Sequence, residues 1–156
     1  MNLGEGLMKS LASAEVLSET RARLLKVSAD DRALWGRMTA MQMMRHLGCS
    51  YEVALGERPV RSMKGPVPGV VKFVALRTGL PWPKNLSTTP ELVAALEECP
   101  EAGFSELVSV AAAKMEAVAS GSRWAESHPM FGGMTAKDSM RWGYLHADHH
   151  LRQFGR

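Results

Sequence analysis

Apolar positions recur with a helical period along much of the chain. In "ASAEVLSETRARLLKV", residues 12–27, Val16, Leu17, Leu24 and Val27 fall near one stripe while most charges lie elsewhere, which predicts a first amphipathic helix. A second is predicted from Thr39 to about Gly56, because "TAMQ" is a capping box: the threonine oxygen caps an early amide and Gln42 reaches back. Phe104 to Ser120, "FSELVSVAAAKMEAVAS", reads as a third long helix closed by Gly121. After the looping "SHPMFGG", "TAKD" at Thr135 opens the last one. Most of the prolines lie between Glu57 and Pro90, and "GVVKFVALRTG" inside that stretch suits only a short helix or an apolar strand. Pro90 behind Thr89 predicts another short helix, ending near Cys99 and Pro100. The connection is long for a compact domain.

Two helix starts resemble each other. "MTAMQMMR" at Met38 and "MTAKDSMR" at Met134 share five of eight positions, a segment too short to establish duplication, but one that gives both helices the same origin for counting. Counting about 100° per residue from each threonine places His46, His146 and His150 at about −20°, +20° and +60°. Met43, Leu47, Val53 and Ala54 share that arc on the second helix, as does Trp142 on the last, so the imidazoles point inward.

Two histidines four residues apart stand one turn apart on one face, a spacing that lets both meet a single metal ion, and a third from a facing helix completes three ligands. The pattern alone leaves this open against ordinary satisfied core histidines. "HADHH", residues 146–150, adds an ambiguity: His149, at about −40° in the same frame, forms with His146 an alternative i, i+3 pair. Asp148 points away from the arc and reads as a solvated carboxylate, and His128 reads as a loop histidine packed beside Pro129. Met38, Met41, Met43, Met44 and Cys49 are soft donors that could suit copper. The methionines point at several angles around the helix, however, as core gap-fillers do.

Composition narrows the classes. At 156 residues with 46% hydrophobic and 22% charged side chains, the chain fits one globular domain spanning residues 1–156. Cys49 and Cys99 form no CxxC pair and no disulfide framework, so a reducing, cytoplasmic setting is expected. Each reads as a small buried hydrophobe. No apolar run approaches the roughly 20 residues of a membrane span. A net charge of +3 with dispersed basic residues gives no footprint for nucleic acid.

"WGRMTAMQMMRHL", "PWPKN" followed by "TPEL", and "HPMFGGMT" leading to "HADHHLRQFG" together resemble the DinB-like (DinB/YfiT) metalloprotein superfamily, in an uncharacterised branch, over nearly the whole chain. The resemblance implies an all-α fold: an up-down-down-up four-helix bundle with a long crossover between the second and third long helices. It implies a metal site of one histidine from the second helix and an HxxxH pair from the last, here His46, His146 and His150, holding zinc, nickel or iron. It carries no ligand role to His149. Relatives that use low-molecular-weight thiols imply a metal-dependent transferase or hydrolase-type enzyme with a thiol cosubstrate, with Glu52 and His149 in supporting roles and no assigned general base. A non-catalytic metal- or small-ligand-binding protein, or a module that dimerises through an exposed helix face, is the competing expectation. "VPGVVKFVALRTGLPWPKN" offers the candidate lid or partner surface, although covering one end of the bundle is the favoured expectation for such a connection.

Overall fold

Both threonine caps form as the sequence predicts, and they start the two helices that carry the histidine cluster. In this computed structural model, which describes residues 8–63, 65, 67–98, 101–121 and 123–156, Thr39 Oγ1 accepts from the Gln42 N–H (3.1 Å) and Gln42 Oε1 accepts from the Thr39 N–H (3.0 Å), opening α2, Ala40–Ala54. Thr135 and Asp138 make the same reciprocal pair, both bonds 3.1 Å, at the start of α6, Ala136–Gln153. The other long helices are α1, Ala14–Leu25, capped by Ser13, and α5, Phe104–Ser120. Gly121 ends α5 in extended backbone, where a Cβ would overlap the Ala117 carbonyl oxygen, so close approach explains the glycine.

The connection resolves into two short helices, α3 at Pro68–Arg77 and α4 at Pro90–Ala95. "GVVKFVALRTG" therefore takes the helical alternative. Helix α4 stops before Cys99 and Pro100, which lie outside the described residues along with the expectations placed on them. The "SHPMFGG" loop contains a minimal antiparallel pair, β1 at Ser127–His128 with β2 at Gly132–Gly133, which two residues per strand give too little periodicity to foretell.

Among the described residues the molecule is mostly helical. Helix α2 packs along α5, α1 against α5 and α6, and α6 also against α2 and α3. Met43, Met44, Leu47, Ala111, Met115, Val118, Ala147 and Leu151 fill the shared interior and are fully buried. The buried Tyr51 hydroxyl donates to the Gly143 carbonyl (3.0 Å), tying α2 to α6. A Cβ at Gly143 would lie 2.8 Å from Leu11 Cδ1, so glycine lets the N-terminal segment close over α6.

Polar side chains fasten the short helices. Arg141, buried on α6, donates from Nε to the Leu76 carbonyl (3.2 Å), and Arg45 on α2 donates from Nη1 to the Leu96 carbonyl (2.8 Å). These arginines hold the same place in the two similar octapeptides, and each reaches the C-terminal end of one connector helix. Asp138 adds ion pairs to Arg77 (2.6 Å) and Lys72 (3.5 Å), fixing α3 to the first turn of α6.

Candidate metal centre

His46 on α2 faces His146 and His150 on α6, and all three are buried. The Nε2 atoms of His46 and His146 are 3.0 Å apart, and one ligand atom from each of the three residues falls within 4.8 Å of the others. Ring centroids are separated by 5.0 Å (His46–His146), 4.8 Å (His46–His150) and 4.9 Å (His146–His150). Two nitrogens bound tetrahedrally to one ion at about 2.1 Å stand about 3.4 Å apart, so a small adjustment of the rings fits them to a shared ion.

One ring is held in a defined tautomer. Gln153 Nε2 donates to the Trp35 carbonyl (2.8 Å), which can only accept, so its Oε1 faces His150 Nδ1 at 2.8 Å. Nδ1 must then carry the proton, which leaves the lone pair of His150 on Nε2. This is an outer contact of the kind that orients metal-binding imidazoles. The loop supplying Trp35 is anchored as well: the Leu34 N–H donates to the Gln153 carbonyl (2.7 Å). Gly36 sits at φ +78°, where a Cβ would come within 2.7 Å of Gln153 Nε2. Sequence reasoning missed Gln153, Trp35 and Gly36, and their one legible signal was Gln153 at i+3 from His150.

Burial keeps the cluster neutral. It lowers His46 to about 4, with a further push from His149. Burial likewise takes His146 well below the ordinary histidine value, helped by the neighbouring histidines. His150 is also lowered well below that value by burial and by His46, against a weaker opposing effect of its bond to Gln153. Neutral imidazoles offer their lone pairs to a cation, and His146 Nδ1 is buried without a hydrogen-bond partner. Three neutral nitrogens are a donor set suited to zinc, nickel or iron, and the group could hold a metal ion.

The cluster borders a cavity of about 850 Å³, walled by α2, α6, the connection and the loops around Trp35 and Pro129. All five histidines of the chain line it. His149 is half-buried and lines it as well, 5.9 Å from the Trp35 ring and 6.1 Å from Trp82, outside the three-histidine group. His128 packs as a loop histidine, stacked on Phe131 at 4.4 Å, and its Nδ1 accepts from the Met130 N–H (3.1 Å). The connection does more than cover an end: Val70, Val71, Leu80 and Trp82 form a wall of the cavity, and the Trp82 ring lies 6.1 Å from His146.

The remaining candidates lie elsewhere. Asp148 faces away from the cluster as expected, but it is not solvated: it is largely buried between Arg23 (2.8 Å) and Arg152 (2.9 Å). Glu52 pairs with Arg58 (2.9 Å) outside the cavity lining. Met43 and Met44 belong to the main core, with Met41 packed against it, and Cys49 lies in a separate apolar cluster with Val53, Leu92 and Ala95. Met38 lines the histidine cavity, so the five soft donors are spread over different surroundings.

Fold and side chains thus define a class: a mostly helical protein with a buried three-histidine cluster at one wall of a cavity, with no described helix long and apolar enough to cross a membrane. Comparison with protein-family models, with curated proteins and with solved structures finds no match.

Proposed function

We propose that this chain is a divalent-metal-binding protein of the DinB-like type. In this reading α1, α2, α5 and α6 are the four-helix bundle and residues 57–90 its crossover. His46, His146 and His150 are the ligands, and zinc, nickel or iron is the ion. The observation that carries the reading is the convergence of three buried, neutral imidazoles from two helices on one cavity wall. The motifs "HPMFGGMT" and "HADHHLRQFG" supply the family part of it.

An ion held by three histidines keeps a position for water or substrate and lowers the pKa of a water or thiol bound there. The chain's own residues set the conditions around it. Gln153 orients His150, tryptophans and aliphatic side chains wall the cavity, and His149 lines it beside the cluster. This arrangement suits a metal-dependent transferase or hydrolase-type enzyme with a thiol cosubstrate. A non-catalytic ligand-binding protein is favoured by one contrary observation: among the described residues no carboxylate lines the cavity, so none of them offers an acidic general base beside the cluster.

Elemental mass spectrometry on untagged protein tests the metal. Near-stoichiometric zinc, nickel or iron is expected, lost when His46, His146 and His150 are all replaced by alanine. Absence of metal in the native protein, even after reconstitution, refutes the reading. Added thiol that changes the electronic spectrum of the nickel- or cobalt-loaded protein favours the enzyme, and an unresponsive spectrum favours the binding protein.

A further inference from the structure

The cavity lining has a composition that restricts what can enter. Of its side chains among the described residues, Arg37 alone is charged, and it lies exposed. Three tryptophans, Trp35, Trp82 and Trp142, join valine, leucine, methionine and proline over most of the surface. A volume of about 850 Å³ falls in the range of cavities that enclose small organic molecules.

Polar atoms here are few, and three of the buried ones lack partners: His146 Nδ1 in the cluster itself, and two outside it, Ser50 Oγ and Trp35 Nε1. Ser50 is one turn beyond His46 on α2, only 2% exposed, and lines the same cavity. Its Oγ is buried with no protein partner, forgoing even the bond to a preceding helix carbonyl that serine commonly makes. Trp35 Nε1, from the loop held by Gln153, is likewise buried and unpartnered. Both groups can donate, and a buried donor without an acceptor costs stability that a packing site would have no reason to bear.

We propose that the cavity binds an uncharged, predominantly apolar small molecule through a hydrogen-bond acceptor received by Ser50 beside the histidine cluster. Ser50 is then a positioning residue for the ligand, and Trp82 and the α3 wall supply the apolar contact. The proposal rests on the histidine cavity being the working site, but binding of the apolar body does not require the metal, so the two are separately testable.

The probe is a series of 2-alkanones of six to ten carbons, which carry one acceptor and no charge. Each is titrated into the full chain, as purified and after chelator treatment, with tryptophan fluorescence as the readout. Affinity should rise about fourfold per added methylene, and the alkanoate of equal length should bind more weakly than the ketone. Ser50→Ala should lower ketone affinity about fivefold with the dependence on chain length unchanged. The same variant should unfold at higher denaturant than the native chain, because it removes an unpaired buried hydroxyl; a purely structural Ser50 would give the opposite shift.

Affinity independent of chain length, an alkanoate that binds the chelator-treated protein as tightly as its ketone, or unchanged ketone binding in Ser50→Ala overturns the proposal. Ketone binding by protein that holds no metal as purified and takes up none on reconstitution would sink the metal reading alone, and stoichiometric metal without ketone binding would sink this one alone.

Discussion

At the scale of single residues, Gln153 does for His150 what the imidazole cannot do for itself: it selects the tautomer. Its amide is fixed by the Trp35 carbonyl, 118 residues away in sequence, so Oε1 is committed to Nδ1 and the lone pair to Nε2. Gln153→Ala should therefore weaken zinc binding by about 10- to 100-fold, measured by competition with a chelating dye, while the circular dichroism stays helical. His149→Ala should leave that affinity within about twofold, since His149 stands outside the three-histidine group. Equal losses in both variants would mean that the wrong imidazole has been assigned. The inward placement of His46, His146 and His150 was legible in the sequence, because helical spacing from two similar caps puts all three rings on one arc. The same count put His149 there too, and only the packing sets it outside the cluster. The Gln153 contact was not legible, because its partner lies on a loop that no periodicity describes.

At the scale of elements, the start of α6 carries more than a cap. Asp138 closes the capping box with Thr135 and also receives Arg77 and Lys72 from α3, with its side chain only 4% exposed. Burial alone would raise its pKa, but the Thr135 bonds and the two cations outweigh it and hold the carboxyl below its ordinary value. Asp138→Ala should destabilise the fold by about 2–3 kcal/mol in urea unfolding, against about 1 kcal/mol for Thr39→Ala at the simpler cap of α2. Similar losses at the two sites would show that the α3 tether contributes nothing beyond the cap. Sequence spacing announced both boxes. It could not announce that one of them also docks the connector, since an aspartate at the third helical position reads the same whether or not cations approach it from elsewhere.

At the scale of the whole molecule, all five histidines are gathered on one cavity, and this gives the metal-free protein an acid-sensitive stability. His128, which belongs to no ligand group, shows the sign most simply. Burial lowers it to about 4, and its Nδ1 already accepts from the Met130 N–H. Between about pH 6.5 and pH 4 the unfolded chain takes up a proton at this position that the folded chain refuses, so stability is full above pH 6.5 and falls as the pH drops. The loss at His128 reaches on the order of 3 kcal/mol, measured by urea unfolding of chelator-treated protein at pH 7.5 and 4.5. His128→Asn should flatten that part of the slope, and an unaltered slope would place the titrating groups elsewhere.

What the sequence determined by itself is the set of features that repeat locally. A helical period marks the four long helices, an i, i+3 box fixes where α2 and α6 begin, and an i, i+4 pair of histidines shares one helix face because the backbone geometry leaves no other arrangement. Only the tertiary structure decided the rest. It chose helix over strand for Pro68–Arg77, set Trp82 6.1 Å from His146, turned the connection into a cavity wall, and buried Asp148 between two arginines. These outcomes depend on contacts between segments far apart in the chain, where each side chain's surroundings are set by which elements pack together and not by its own neighbours in sequence.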